Sequence, residues 1–255
     1  MNCRIRGLAI AGALWLAATA SAQDGSGKLE SGDMYFGMDL GVSIMPSVSI
    51  KDIAPIDAFS FGIENVEVDV DSGLGWNIDL GFRLSETFAL ELESGYYRND
   101  FGGFKSGEFT TLTLGSTAVV GGSGDFTQIP IFLNAQWDVP LTQAGSGTAW
   151  MLSLFAGAGA VNVGADLDDI GALGVPGVTA ALDGGGWGAA VQLGVGVHAE
   201  FAPGFHVGAG YRVMVVNGVA LGTATFSDPS LTAFAVLETD TVVTHALQAS
   251  LSIEF

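Results

Sequence analysis

Residues 74–84 read Leu-Gly-Trp-Asn-Ile-Asp-Leu-Gly-Phe-Arg-Leu, and this stretch decides the fold class. Every second residue is large and apolar, whereas the residues between them are glycine, asparagine, aspartate and arginine. Successive side chains of a β-strand point to opposite faces, so a period of two separates the apolar residues from the polar ones. The stretch therefore predicts a long strand with one apolar and one polar face.

Seven further stretches of the 255-residue chain alternate in the same way, and none of their apolar rows contains a charged residue. Together with residues 74–84 they predict an all-β chain of eight strands, and the length suits one domain. The seven stretches cover residues 35–45, 88–97, 128–138, 150–159, 187–201, 205–213 and 247–255.

Alternation alone leaves two architectures open. The apolar row can point inward in a soluble barrel or sandwich, or outward to lipid in a membrane barrel with a polar lumen. Strand length favours the membrane, because crossing a bilayer at a tilt takes about ten residues, whereas soluble strands average about five or six.

The connections favour the membrane barrel as well, because short connections alternate strictly with long polar ones. The short ones are residues 85–87, 139–149 and 202–204. The long ones are residues 46–72, 99–124, 164–185 and 216–244. Outer-membrane barrels combine short periplasmic turns with longer outer loops in this way.

Aromatic residues give the barrel a direction. If the strands run up and down in chain order, each carries an outward aromatic side chain at the end with the short turns. Such side chains are enriched where lipid meets water, and a soluble core has no reason to order them by strand direction. The predicted periplasmic girdle consists of Phe36, Phe82, Phe88, Trp137, Trp150, Phe201, Phe205 and Phe255.

These features predict an eight-stranded antiparallel up-and-down transmembrane β-barrel with short periplasmic turns and long outer loops. We expect it in the bacterial outer membrane with both chain termini in the periplasm.

The N-terminus has the pattern of a secretory signal peptide. Arg4 and Arg6 precede an apolar segment at residues 8–19, and the Ala-Ser-Ala sequence at residues 20–22 is a small-residue cleavage site. An uncleaved anchor is the alternative, but the apolar segment is shorter than the roughly 20 residues that span a bilayer. We expect a signal peptide at residues 1–22 cleaved after Ala22, a periplasmic segment at residues 23–33 and the barrel domain at residues 34–255.

Composition restricts the chemistry and the partners of the mature chain. The only cysteine, Cys3, lies in the predicted signal peptide, so thiol catalysis, disulfides and sulfur-ligated metals are not expected. The mean hydropathy is +0.45, yet no run of about 18 apolar residues follows the signal segment. The formal net charge of -19 argues against nucleic acid as a partner, because phosphate binding needs clustered lysine and arginine.

The sequence resembles the OmpA-like family of eight-stranded outer-membrane barrels, also described as the outer-membrane β-barrel or porin-family domain. The resemblance covers residues 33–255. It rests on Gln-Ile-Pro at 128–130, Phe-Ala-Gly-Ala-Gly at 155–159, Gln-Leu-Gly-Val-Gly at 192–196, Tyr-Arg at 211–212 and the terminal Phe255.

The resemblance implies that the C-terminal strand is read by the barrel-assembly machinery through Leu251, Ile253 and Phe255. Larger family members carry a peptidoglycan-binding domain after the barrel. This sequence ends at Phe255, so we do not expect that anchoring role.

The polar rows are expected to fill the lumen, because eight strands enclose an interior just wide enough for side chains. A turn at residues 85–87 places Asp79 opposite Glu93 and Arg83 diagonal to Glu91. Like charges so close are costly unless a cation or a proton intervenes. We expect Arg83 or Arg212 to bridge the carboxylates as a plug, with a narrow ion or proton path as the alternative. The expected lumen network is Asp39, Asp79, Arg83, Glu91, Glu93, Glu200, Arg212 and Glu254.

The histidines carry a weaker hypothesis. Lipid A acyltransferases and deacylases on small barrels need a histidine with a serine or carboxylate near one rim. His198 and His206 are expected in the lumen at the periplasmic end, and His245 near the outer rim without a close serine. We therefore expect structural histidines and no catalytic residues.

The long connections are acidic. Their carboxylates are expected to be solvated charges that keep the surface soluble, with Ca²⁺ or Mg²⁺ ligands bridging to lipopolysaccharide phosphates as the alternative. The residues concerned are Asp52, Asp57, Glu64, Glu67, Asp69, Asp71, Asp166, Asp168 and Asp169.

Three functions stay open: a structural or surface-interaction barrel, a small-solute or ion channel, and a lipid-modifying enzyme. A filled lumen and the missing rim constellation favour the first, without enzymatic activity, cofactor or metal. The expected partners are outer-membrane lipids and lipopolysaccharide, the barrel-assembly machinery during biogenesis and an unidentified extracellular ligand. We expect a monomer.

Overall fold

The computed structural model of this protein describes residues 32–50, 62–111, 115–142, 148–172, 177, 179–228 and 237–255. The predicted signal peptide and its cleavage site after Ala22 lie outside the described residues. Within the described ranges, no helix is long and apolar enough to cross a membrane.

The regular elements of the described residues are β-strands, which confirms the all-β fold class. In chain order they are β1 (Met34–Ile44), β2 (Ser47–Ile50), β3 (Gly62–Val70), β4 (Gly73–Ser85), β5 (Phe88–Thr111), β6 (Gly115–Pro140), β7 (Ala149–Ala172), β8 (Thr179–Ala202), β9 (Phe205–Val216), β10 (Ala220–Gly222), β11 (Thr225–Phe226), β12 (Leu237–Glu238) and β13 (Val242–Glu254).

Eight of these strands close into an antiparallel ring. The order around the ring is β1, β4, β5, β6, β7, β8, β9 and β13, and β13 pairs with β1. They are the eight strands that the alternation predicts, and each pairs with the strands before and after it in that series. Closure leaves the ring without a free edge, so its backbone hydrogen bonds can be satisfied within lipid.

The ring strands are staggered relative to one another. Two paths of paired residues lead from Gly75 on β4 to β8, one through β5, β6 and β7 and the other through β1, β13 and β9. The first path ends at Gly186 and the second at Gly196, ten residues further along the same strand. A stagger of this kind requires the strands to tilt, and eight tilted strands leave a narrow interior.

Along the long strands β5–β8, the apolar side chains change from the outer face of the ring to its inner face. On β7, Leu154 is exposed and Ser153 is buried, whereas further along Asp166 is exposed and Leu167 is buried. The apolar face therefore points outward in the part nearest the short turns and inward in the part beyond. The first part suits a lipid environment and the second suits water.

This exchange explains a difference from the sequence analysis, which predicted connections at residues 99–124 and 164–185. In the structure β5, β6, β7 and β8 continue through most of these residues and reach 24, 26, 24 and 24 residues in length. Once the outward row becomes polar and glycine-rich, the alternation no longer has the pattern of a membrane strand, although the strand goes on.

The extensions of β5–β8 enclose a second, apolar core. It contains Phe126 and Leu182 of the extended strands, Val48 and Val68 of the β2–β3 hairpin and Leu221 of β10, all buried. The hairpin is attached to β5 through β3. We call this body of extended strands, hairpin and core the head of the barrel. It fills the interior beyond the polar lumen.

A new charge on the outer surface should be costly where that surface faces lipid and tolerated where it faces water. Leu133 on β6 is 60% exposed on the apolar outer face, four residues before the girdle residue Trp137. Leu133→Arg should lower the free energy of unfolding in lipid vesicles by about 2–4 kcal/mol, because the guanidinium would face hydrocarbon. Urea titration of vesicle-inserted protein measures the loss.

Asn217→Arg is the matched control, because Asn217 follows β9 and is exposed beyond the apolar face. It should change the free energy of unfolding by less than about 1 kcal/mol. Equal losses in the two variants would contradict the assignment of Leu133 to lipid.

Candidate functional site

In the part of the ring nearest the short turns, the lumen contains large side chains that face glycines. A Cβ atom on Gly194 would lie 2.1 Å from the ring of Phe155, and one on Gly75 would lie 2.1 Å from the ring of Tyr97. Any larger residue at either position would displace a ring. Phe155 in turn supports Arg212, whose Cζ atom lies 5.2 Å from the ring centroid.

Arg212 on β9 is the centre of the first polar layer. It is only 5% exposed and forms ion pairs with Glu93 on β5 and Asp39 on β1, with 2.8 Å between Nη2 and Oδ2 of Asp39. Its Nε donates to Oε1 of Gln248 at 2.6 Å. The guanidinium therefore links four strands across the lumen.

Amide side chains extend this layer to β6 and β8. Nδ2 of Asn134 donates to Glu91 at 2.7 Å and to Glu93 at 3.1 Å, and Nε2 of Gln192 donates to Asn134 at 2.8 Å. The hydroxyl of Tyr35 donates to the other carboxylate oxygen of Glu91 at 3.0 Å. Hydrogen bonds and ion pairs of this layer thus join side chains of β1, β5, β6, β8, β9 and β13 across the lumen.

Arg83 on β4 is the centre of a second polar layer nearer the short turns. It pairs with Glu254 on β13 and, at 2.8 Å, with Asp138 on β6. Ser153 on β7 donates to Asp138, and the Arg83 Cζ atom lies 5.4 Å from the ring centroid of Tyr35. The lumen is therefore crossed by two separate arginine-centred layers.

The structure distributes the predicted lumen residues between these layers. Asp79 pairs with Glu93 across β4 and β5, as the turn predicts. Arg83 contacts Asp138 and Glu254 and does not reach Glu91, because its side chain extends toward the short turns.

Glu200 corrects the predicted network. It accepts a hydrogen bond from the backbone N–H of Gly204 at 3.2 Å, and in the described residues it pairs with neither arginine. Glu200 lies near the end of β8, past the Arg83 layer.

Sequence reasoning missed Asp138, Asn134 and Gln192 as members of the network. All three lie in the inward row of their strands, at the same parity as the predicted residues. The alternation in the sequence shows that these three side chains face inward. Which hydrogen bonds they form depends on the stagger of the ring.

A cavity of about 80 Å³ lies between the two layers. Its wall includes Asp39, Asp79 and Glu91 on one side and Arg83, His198 and His206 on the other. Among the described residues, no group of three or more ligating side chains is arranged to hold a metal ion.

Two of the three histidines lie in the lumen and the third lies on the outer face. His198 and His206 line the cavity, and the hydroxyl of Ser250 lies 3.4 Å from Nδ1 of His198. The carboxylate of Asp138 is engaged by Arg83 and Ser153, so it is not available to orient His198 for nucleophilic work.

His245 lies on the outer face of β13, where its Nδ1 is 2.6 Å from the hydroxyl of Tyr211. The two rings are stacked with their centroids 6.0 Å apart. His245 therefore has an aromatic partner on the lipid-facing side rather than a serine.

The outward face of the head carries a row of aspartates. Asp100, Asp125, Asp166 and Asp183 lie directly opposite one another on the neighbouring strands β5, β6, β7 and β8. Partial burial and the carboxylates of Asp183, Asp168 and Asp125 raise the pKa of Asp166 above its ordinary value. Arg98 pairs with Asp125 at 2.8 Å and partly offsets the repulsion.

Of the predicted acidic-loop residues, Asp52 and Asp57 lie outside the described residues. Glu64 is in β3, and Glu67, Asp69 and Asp71 lie in or just after it. Lys105 reaches Asp69 at 3.2 Å and Glu67 at 3.8 Å. Asp166, Asp168 and Asp169 belong to the extended β7.

The girdle residues lie at the strand ends nearest the short turns. Six of them are exposed on the outer face, and Phe36 and Phe205 are half-buried there. The residues expected to direct assembly face outward along β13, where Leu251 pairs with Met38 and Ile253 with Phe36 at the closing seam. The N–H of Phe255 donates to the carbonyl of Met34 at 2.8 Å.

No family model and no curated protein matches this chain. Similar solved structures are outer-membrane barrel proteins. The outer membrane protease OmpT from Escherichia coli is 9% identical, with 92% of this chain and 99% of that chain covered and a TM-score of 0.51. At this identity the likeness supports the fold alone.

Two further structures have lower TM-scores. Neisserial surface protein A is 14% identical, covering 91% of this chain and 100% of that chain at 0.45. The outer membrane protein OprG from Pseudomonas aeruginosa is 15% identical. The match covers 90% of this chain and 98% of that chain, with a TM-score of 0.45. The resemblance to the OmpA-like family stays a prediction.

The geometry of the Arg212 layer predicts a large stability effect. Arg212→Met should lower the free energy of unfolding by about 3–5 kcal/mol, because Glu93 and Asp39 would lose their buried counter-charge. Thermal unfolding in detergent, followed by the mobility shift of folded barrel on electrophoresis, measures the effect.

Arg98→Met is the control, because it breaks the exposed ion pair with Asp125 and should cost no more than about 1 kcal/mol. An unchanged melting temperature for Arg212→Met would show that the layer does not hold the barrel together.

Proposed function

We propose that this protein is a non-conducting outer-membrane barrel that presents its head at the cell surface as a contact surface for another molecule. The observation that carries the proposal is the succession of buried side chains along the interior of the barrel. The Arg83 layer, the Arg212 layer and the apolar core of the head follow one another along the barrel axis. A solute entering at either end would have to displace buried side chains at each of these levels.

The location and orientation are part of the proposal. The signal-peptide pattern at residues 1–22, the apolar outer face and the aromatic girdle support insertion in the outer membrane. Both termini and the short turns then lie in the periplasm, and the head lies outside. We further propose a monomer surrounded by outer-membrane lipids and lipopolysaccharide, inserted by the barrel-assembly machinery through Leu251, Ile253 and Phe255.

The head is what a surface-contact function would use. It is built on strands rather than on irregular loops, and its own apolar core holds the exposed residues in fixed positions. Its outward face is acidic through the row from Asp100 to Asp183, so a partner with a basic surface is the better match in charge.

The enzyme alternative has less support. His245 faces lipid with Tyr211 as its partner, and His198 lacks a free carboxylate to orient it. That the protein is not an enzyme stays a prediction, as does the absence of a cofactor.

Conductance tests the closed interior directly. Purified barrel inserted into a planar lipid bilayer should give no stable current steps in about 1 M salt, because the side chains at each level exclude hydrated ions. Gramicidin added afterwards to the same membrane confirms that single channels would be detected. Reproducible steps from the wild-type barrel would overturn the proposal in favour of a channel.

Surface labelling tests the orientation. Asp169→Cys places a thiol at the exposed end of β7 and Glu86→Cys places one in a short turn. In intact cells, a membrane-impermeant maleimide should label Asp169→Cys, and Glu86→Cys only after the outer membrane is permeabilised. The reverse pattern would place the head in the periplasm and contradict its role at the surface.

A further inference from the structure

We propose that Tyr211 and His245 bind the phosphate group of a lipid headgroup on the outer face of the ring. In the outward rows of β9, β13 and β1, these two residues are the ones with polar side chains. The other members of these rows are valine, leucine, isoleucine, alanine, methionine and phenylalanine. Polar groups on a lipid-facing surface are costly to desolvate unless they find a partner, so this pair requires one.

The pair lies where the hydrocarbon ends on the side of the head. His245 precedes the girdle residue Phe255 by ten positions on the same strand, and about 9–11 residues of tilted strand cross a bilayer. β13 begins at Val242, and β1 ends at Ile44, the residue that pairs with His245. Lipid headgroups lie at this level. They belong to the outer leaflet if the head lies outside, so this part of the inference rests on the proposed orientation.

Contacts within the pair hold the imidazole in place. The hydroxyl of Tyr211 lies 2.6 Å from Nδ1 of His245, and the two rings are stacked at an interplanar angle of 22°. Among the described residues, neither side chain has a further hydrogen-bond partner. Nε2, the ring nitrogen farther from the backbone, is therefore left for a partner outside the protein.

The number of hydrogens makes the pair a donor. A phenol and a neutral imidazole together carry two hydrogens on their polar atoms, and the bond between them uses one. The second hydrogen is on Nε2 when the phenol donates, and on the phenol oxygen when Nδ1 donates. A protonated imidazole adds a third hydrogen and a positive charge. In every state the pair offers a hydrogen to an acceptor in the surrounding lipid.

Phosphate is the acceptor of a headgroup that suits this donor best. A hydrogen bond to an ionised oxygen is about twice as strong as one between neutral groups, such as a bond to an ester carbonyl. The charge around the pair also permits an anion. The row of aspartates lies on β5–β8, whereas the outward rows of β9, β13 and β1 contain no carboxylate. A lipid phosphate can therefore approach the pair without meeting that row.

Lipid binding in detergent tests the contact. Folded barrel in alkyl maltoside micelles, which contain no phosphate, is titrated with phosphorylated lipid A, and the bound lipid is counted by native mass spectrometry. His245→Phe should bind this lipid about tenfold more weakly, because it lacks one charge-assisted hydrogen bond. His245→Gln keeps a donor and should bind it more tightly than His245→Phe does. Lipid A without phosphates should bind the wild type as weakly as the phosphorylated form binds His245→Phe.

Trp187→Phe is the matched control, because it removes an N–H group from the exposed outward row of β8 and leaves the pair intact. It should bind the lipid like the wild type. Equal affinity of the wild type and His245→Phe, or of the two forms of the lipid, would overturn the proposal. Displacement of the lipid by millimolar inorganic phosphate would also overturn it and assign the pair to a soluble anion. These measurements do not depend on the side of the membrane on which the head lies, so the labelling test of orientation can fail separately.

Discussion

The closed ring of eight strands is the constraint on which the other features of this protein depend. Pairing of β13 with β1 leaves no edge, so the backbone is satisfied within the ring and the outer face can be wholly apolar. The ring is narrow because it has only eight strands, and its stagger of ten residues sets their tilt. A narrow ring in lipid gives its inward side chains little water, so most of the polar groups find their partners across the lumen.

The two arginine layers follow from that constraint. A guanidinium carries several donors in one plane, and Arg212 uses them to reach β1, β5 and β13 at once. Glycines facing Phe155 and Tyr97 leave room for the rings that pack around the layer. The lumen still contains more carboxylates than arginines, and the cavity between the layers lies where that excess is concentrated.

The exchange of polarity along β5–β8 shows that one sheet is built for two solvents. Near the short turns the outward row is apolar and the interior polar, as lipid requires. Beyond Trp187 the outward row is acidic and the interior is packed with valine, leucine and phenylalanine, as in a water-soluble β-protein. The pairing of β6 with β7 and of β7 with β8 continues across the boundary, so the head is a direct continuation of the membrane barrel.

The sequence by itself determined the number of strands in the ring, their order and the direction in which their apolar rows face near the short turns. Strict alternation with a period of two is a local property, and Trp76 and Asp79 occupy opposite faces whatever the rest of the chain does. It also determined the pairing of Asp79 with Glu93, because a tight turn at residues 85–87 sets the register of β4 on β5. The sequence did not reveal the full length of β5–β8. In their outer halves the period of two continues, but the polar residues face outward and the apolar residues face inward.

Only the tertiary structure decided which charges meet. Arg83 and Arg212 are 129 positions apart in the chain, and their partners come from strands on several sides of the lumen. The stagger of the closed ring decides which side chains lie at the same level of the lumen. That stagger is a property of all eight strands together. For that reason Asp138 joined the network, Glu200 stayed outside it, and Asp79 lines the cavity between the layers. Alternation places a side chain inside the barrel, and ring closure alone sets its neighbours there.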